Sequence, residues 1–147
     1  MNIQDNYLTL ADGQQMPQEG FGLYKVDGQD TMTAAIQHAF EDGYRLFDTA
    51  QLYGNEAEVG TALKQLALPR NEIFVTTKVA EENQGYDRAI ASVKESLQKL
   101  QLDYVDLLLV HWPIERSFFE TWRAFEDMKK EGLTKSIGVS NFEMIHL

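Results

Sequence analysis

Apolar, β-branched segments recur along this chain at a nearly constant interval, and that rhythm restricts the fold more than any other feature. Segments centred near Leu46, Val75, Leu108 and Ile137 lie roughly thirty residues apart, the length of a strand, a helix and the return to a parallel strand. Helical spacing fills the gaps. Met32, Ile36, Ala39 and Phe40 share one face, with Asp30 as N-cap and Gly43 as terminator. Val59, Ala62, Leu63 and Leu66 form a second, opened by Asn55 and Glu58 in the pattern of a capping box. Ile90, Val93, Leu97 and Leu100 form a third, and Phe118, Trp122, Phe125 and Met128 a fourth that ends near Gly132. Strand and helix alternate strictly, so the chain is α/β.

Strands are predicted over residues 21–24, 44–50, 73–77, 105–110 and 136–139, after a small N-terminal hairpin turning at Ala11-Asp12-Gly13. The run Leu107-Leu108-Leu109-Val110 does not alternate with polar residues, as expected of a strand buried on both faces of a parallel sheet. A doubly wound nucleotide fold would show Gly-x-Gly-x-x-Gly after its first strand; Gly20-Phe21-Gly22-Leu23-Tyr24-Lys25 lacks the third glycine. The repeat fits a (β/α)8 TIM barrel better, but such a barrel takes about 250 residues. Residues 1–147 supply about five of its eight strands and show no linker or second domain. Two arrangements fit: the N-terminal part of a barrel, or closure by pairing with another chain. An open sheet would leave its first and fifth strands as edges and expose Leu108 and Val110 to water, so self-association is expected.

Composition narrows the function classes. Lys and Arg total 13 against 23 Asp plus Glu, a net charge of -10, which opposes a phosphate-binding surface and hence nucleic acid as partner. Cysteine is absent, which removes disulfides, thiolate metal sites and thiol nucleophiles and suits a reducing compartment. Residues 1–5 carry neither a basic nor an apolar leader pattern, so no membrane partner is expected and the cytoplasm is the expected location. The three histidines, His38, His111 and His146, contain no His-x-His pair, and no metal is expected.

In barrels the chemistry sits at the C-terminal ends of the strands. The second predicted strand delivers Asp48 there and its loop Tyr53, the third Lys78, the fourth His111, and the fifth Ser140 and Asn141. Each alone has an ordinary role: Asp48 as a turn cap, Tyr53 as a packing residue, Lys78 as a solvated strand end, His111 as a satisfied histidine. Together they suggest a phenolic acid. A tyrosine hydroxyl, with an ordinary pKa of about 10, donates its proton more readily beside an ammonium that a carboxylate holds in place.

The chain resembles the aldo-keto reductases, and among them the prokaryotic diketogluconate and glyoxal reductases. The resemblance is carried by Gly20-Phe21-Gly22, Gly43-Tyr44-Arg45-Leu46-Phe47-Asp48-Thr49-Ala50, Tyr53-Gly54-Asn55-Glu56, Thr76-Thr77-Lys78, Leu102-Asp103-Tyr104-Val105-Asp106, His111-Trp112-Pro113 and Ser136-Ile137-Gly138-Val139-Ser140-Asn141-Phe142. It implies reduction of a small-molecule aldehyde or ketone by NADPH, with NADH left open. Tyr53 would protonate the carbonyl oxygen, Lys78 would ease release of that proton, Asp48 would pair with Lys78, and His111 would orient the carbonyl. The resemblance also implies cofactor contacts from Gly22, Leu23, Asp48, Ser140 and Asn141, and a substrate pocket walled by Tyr24, Ala80, His111 and Trp112. Relatives often carry Trp where this chain has Ala80 and a small hydroxyl residue where it has Leu23. The strands that hold the adenosine phosphate in relatives have no counterpart in residues 1–147, which implies impaired activity for a chain of this length. A lysine Schiff-base aldolase acting through Lys78 and a catalytically inert or structural fragment are the competing readings.

Overall fold

The computed structural model describes residues 6–147; the reading of residues 1–5 lies outside them. Strands β1 (Tyr7–Thr9) and β2 (Gln15–Pro17) form the antiparallel hairpin, with Tyr7 opposite Pro17. After it come β3 (Gly20–Gly22), α1 (Gln29–Glu41), β4 (Leu46–Asp48), α2 (Glu56–Gln65), β5 (Phe74–Val79), α3 (Tyr86–Leu100), β6 (Val105–Val110), α4 (Phe118–Glu131) and β7 (Thr134–Val139). The sheet runs β3-β4-β5-β6-β7, all parallel and in sequence order. This is the partial barrel that the repeat predicts. The register sets Gly22 beside Asp48, Lys78 beside Leu109 and Val110 beside Val139, so the strands end at a common rim.

The core lies between the sheet and its helices. Phe47, Val75, Val79, Leu108 and Val110 are fully buried against Ile36, Val59, Val93, Phe125 and Met128, each side chain contributing roughly 1.5–3 kcal/mol by leaving water. Helices α2 and α3 approach closely at Gly60, where a Cβ would stand 2.5 Å from the Lys99 carbonyl oxygen. The other face of the sheet is open: Leu46, Thr76, Leu107 and Leu109 border a cavity of about 310 Å³ together with Met16, Pro17, Gly20 and Gly22. Two expectations are thereby corrected. Strand β6 is not closed on both faces, since Leu107 and Leu109 are only partly buried, and Leu108 and Val110 face the helices rather than water.

The hairpin reaches across the N-terminal end of the sheet. Asp12 accepts hydrogen bonds from Ser136 Oγ at 2.6 Å and Lys129 Nζ at 3.0 Å, while β2 leads directly into β3. The first and last strands of the sheet are thus bridged by the hairpin. The Ser136 bond, the Gln14 backbone N–H and Lys129 hold the Asp12 carboxyl down at about 2.

Several local expectations shift. The first parallel strand stops at Gly22, leaving Leu23 and Tyr24 beyond it, and β4 is shorter than predicted because the Tyr44 N–H is taken by the Ala39 carbonyl at the end of α1. Gly28, with φ 85°, precedes α1 where Asp30 was expected. Asn55 caps no helix with its side chain; its amide has a different use, described below. Among the described residues no helix is long and apolar enough to cross a membrane.

Candidate active site

Lys78 is the last residue but one of β5 and is nearly buried, which obliges its ammonium to find partners. It donates to both carboxylate oxygens of Asp48, at 2.8 Å each, to the Thr49 carbonyl at 3.1 Å and to the Tyr53 hydroxyl at 3.3 Å. Asp48 ends β4 and is about one-third exposed, at 32%. Charge and counter-charge therefore meet at the rim with the phenol directly attached.

Tyr53 is aimed by the short 3-10 turn Gln51–Tyr53, which Gly54 closes at φ 67°, a left-handed conformation that favours glycine. Gln51 anchors that turn. Its Oε1 accepts from the Ala80 N–H and Asn83 Nδ2, at 2.9 Å each, and its Nε2 donates to Ser92 and Ser96 on α3. Buried Asn55 anchors the other side, donating to the carbonyls of Leu23 and Val26 at 2.9 and 3.2 Å and accepting from Thr49 Oγ1 at 2.8 Å. Asn55 thereby ties the loop carrying Tyr24 to the turn carrying Tyr53, whose rings lie 5.1 Å apart.

His111 follows β6 and is buried beside the phenol, with ring centroids 5.9 Å apart and nearly perpendicular. Its backbone N–H donates to the Val79 carbonyl and its backbone carbonyl accepts from Asn141 Nδ2 at 2.8 Å. Burial, and then the Lys78 charge, push the imidazole below its ordinary pKa; the Asp48 and Glu81 carboxylates pull the other way. The ring is thus biased toward its neutral form, which keeps one N–H to donate and one nitrogen to accept. Nδ1 is buried with no hydrogen-bond partner among the described residues.

The four residues expected to be catalytic, Asp48, Tyr53, Lys78 and His111, are brought together. Ser140 and Asn141 lie next to His111, with Asn141 Nδ2 3.2 Å from Ser140 Oγ, and Gly22 flanks Asp48 in the sheet. Leu23 differs: its side chain is fully buried in the core, and its N–H donates to the Asp48 carbonyl at 3.0 Å. Any cofactor contact there falls to the backbone. Ala80, His111 and Trp112 border a depression of about 460 Å³ together with Leu52, Glu81 and Glu82. Tyr24 is largely exposed beside Tyr53.

Sequence reasoning missed Gln51, Glu56, Glu81 and Glu82. Glu56 is buried behind the strand, accepting from Thr77 Oγ1 at 2.7 Å and Ser96 Oγ at 3.0 Å, and burial raises its carboxyl above the ordinary 4.5. A signal was present in the run Tyr53-Gly54-Asn55-Glu56, where two polar residues sit at the opening of an apolar helix. A third cavity, of about 230 Å³ near Leu68, Leu102 and Tyr104, lies beyond the starts of β5 and β6 at the opposite end of the sheet. There Arg70 pairs with Asp106 at 2.6 Å.

Residues 20–147 match the Aldo/keto reductase family, and the chain belongs to that family. Glyoxal reductase of Bacillus subtilis is 44% identical over 140 residues, covering 95% of this chain and 51% of that protein. An aldo/keto reductase from Brucella melitensis superposes with a TM-score of 0.92 at 45% identity, covering 96% of this chain and 55% of the other. The Bombyx mori aldo-keto reductase, solved in complex with NADP, gives 0.89 at 35% identity, over 95% and 52% of the two chains. The chain spans about half the length of the curated relatives it matches.

Proposed function

We propose that residues 1–147, read as one partial barrel domain, carry the catalytic centre of a carbonyl reductase that converts an aldehyde or ketone into an alcohol with NADPH. The observation that supports this best is Lys78 bonded at once to Asp48 and to the Tyr53 hydroxyl, beside a buried imidazole. A bound nicotinamide cofactor would supply the hydride. Ser140 and Asn141 fit its carboxamide, which needs one donor and one acceptor, and they stand on the rim next to His111. The Bombyx mori relative with bound NADP agrees with that choice of cofactor.

Tyr53 protonates the substrate oxygen, since a phenol in contact with an ammonium leaves a phenolate that the ammonium stabilises. Asp48 keeps Lys78 at that position. His111 donates its N–H to the carbonyl oxygen and fixes the face presented for reduction. Ala80, Leu52 and Trp112 wall the depression in which the rest of the substrate lies.

The Schiff-base reading is less well supported, because the Lys78 ammonium is already committed to four acceptors and a nucleophilic amine needs its lone pair free. Deuterium tracing tests the proposal. Residues 1–147, alone and fused to the C-terminal half of the Bacillus subtilis glyoxal reductase, are incubated with NADPH deuterated at the nicotinamide C4 and with methylglyoxal. Deuterium on the carbinol carbon of the product supports the proposal. A fusion that binds NADPH and transfers no deuterium contradicts it, and a borohydride-trapped adduct on Lys78 would favour the aldolase.

A further inference from the structure

We infer that Gln51 is a positioning residue for the proton transfer: it braces the turn carrying Tyr53 against the end of β5, so that the phenol stays on the Lys78 ammonium. The inference rests on the reductase reading above, in which Tyr53 is the proton donor.

The contact between Tyr53 and Lys78 needs such a brace. Of the four bonds made by the Lys78 ammonium, the one to the Tyr53 hydroxyl is the longest, 3.3 Å against 2.8 to 3.1 Å for the others. Tyr53 also lies on a turn with no buried residue, and its middle residue, Leu52, is largely exposed. Burial therefore does little to place the turn. Its backbone bonds, from the Tyr53 N–H to the Ala50 carbonyl and from the Gly54 N–H to the Gln51 carbonyl, are internal to it. They fix its shape and leave open where it lies against β5.

The Gln51 side chain supplies that attachment. Its bond from the Ala80 N–H joins a residue two before Tyr53 to a residue two after Lys78, and so closes a ring of chain around the Lys78–Tyr53 contact. The amide has one orientation. The Ala80 N–H can only donate, so the amide oxygen faces it and Asn83 Nδ2. The hydroxyl hydrogens of Ser92 and Ser96 are already given to the Ala89 carbonyl at 2.9 Å and the Glu56 carboxylate at 3.0 Å, so the amide nitrogen faces them. Both donors and both acceptor sites of Gln51 are thus used. Through Ser96 and Glu56 the bonds return to β5 at Thr77, the neighbour of Lys78. Misplacing a reacting group by about 1 Å can cost about 10²-fold in rate, so a turn released from this brace loses proton transfer first.

Tyrosine labelled with carbon-13 at the ring carbon bearing the hydroxyl reads the contact by NMR without turnover. The chain holds six tyrosines; Tyr53→Phe identifies the Tyr53 resonance, and Lys78→Met shows where it lies once the ammonium is gone. Gln51→Met keeps the side-chain length and loses all four bonds, and Gln51→Asn is an amide too short to reach Ala80 and α3 together. Both should move the Tyr53 resonance toward its Lys78→Met position, while Tyr104, at the opposite end of the sheet, stays in place. A Tyr53 resonance unmoved in either variant overturns the proposal.

The second arm is a double-mutant cycle in the fusion used for deuterium tracing. Gln51→Met should lower kcat for methylglyoxal about tenfold or more with KM within about threefold. In the Tyr53→Phe background the same change should cost about twofold or less, because Gln51 acts through a hydroxyl that is already gone. Equal losses in the two backgrounds overturn the positioning role. No turnover in the parent fusion, with the Tyr53 resonance shifted as expected, counts against the reductase reading and leaves the Gln51 brace standing.

Discussion

Asp48 grips the Lys78 ammonium with both carboxylate oxygens at 2.8 Å, yet the two side chains are unequally exposed, 32% for Asp48 and 8% for Lys78. That inequality predicts an asymmetric response. Asp48→Asn leaves a buried ammonium without its counter-charge and should cost about 3 kcal/mol. Lys78→Met leaves a carboxylate that water can reach and should cost about 1 kcal/mol or less. Urea denaturation midpoints of the two variants read this directly, and equal losses would show that the pair does not depend on its burial.

Ala80 sits in the wall of the depression between Leu52 and Trp112. Ala80→Trp should narrow the mouth, lowering kcat/KM about tenfold or more for a bulky aromatic aldehyde while leaving methylglyoxal within about threefold. Equal penalties for the two substrates would show that residue 80 does not shape the pocket.

Glu56 predicts a pH effect on stability rather than on chemistry. Its carboxyl is raised above the ordinary 4.5 in the folded protein by burial, opposed by the Thr77 and Ser96 hydroxyls. A raised folded-state value means that its contribution to stability is fully present below the unfolded value and is lost as pH rises through the folded one. Glu56→Gln removes that loss and should be more stable than the parent by about 1 kcal/mol at pH 8, with the two converging near pH 4.5. A variant less stable than the parent at pH 8 would mean that the ionised carboxylate is the form the fold prefers.

Much of the site was legible because a parallel sheet exports its strand ends to one rim, so Asp48, Tyr53, Lys78, His111, Ser140 and Asn141 could be gathered from spacing alone. The motif resemblance added their roles and the contacts expected of Gly22, Leu23, Tyr24, Ala80 and Trp112. Asn55 does stand at the N-cap position of α2, but the side-chain bond that a capping box predicts is absent, because its amide is used elsewhere. Its partners, the carbonyls of Leu23 and Val26, lie about thirty residues upstream and meet it only after folding. Which residues line the open face was assigned wrongly for a different reason. Leu107-Leu108-Leu109-Val110 has no polar alternation, and periodicity cannot say which half of such a run lacks a cover. The hairpin's bridge from Asp12 to Ser136 spans nearly the whole chain and has no local signature.

The open face carries its own prediction. Leu107 and Leu109 stand half-buried on an uncovered surface, while β3 and β7 each have one unpaired edge in the sheet. Sizing chromatography of residues 1–147 should show concentration-dependent association, and Leu109→Lys should shift the profile toward monomer. A parent protein that stays monomeric across a hundredfold range of concentration would contradict this.

Tyr53→Phe tests the central claim most directly, because it keeps the ring packed against Tyr24 and removes only the hydroxyl that Lys78 holds. The variant and parent are compared in the fusion used for deuterium tracing, following NADPH consumption with methylglyoxal and NADPH affinity in parallel. The account predicts a fall in kcat of about 10²-fold or more with nucleotide affinity retained. Turnover within a few-fold of the parent would show that Tyr53 is not the proton donor.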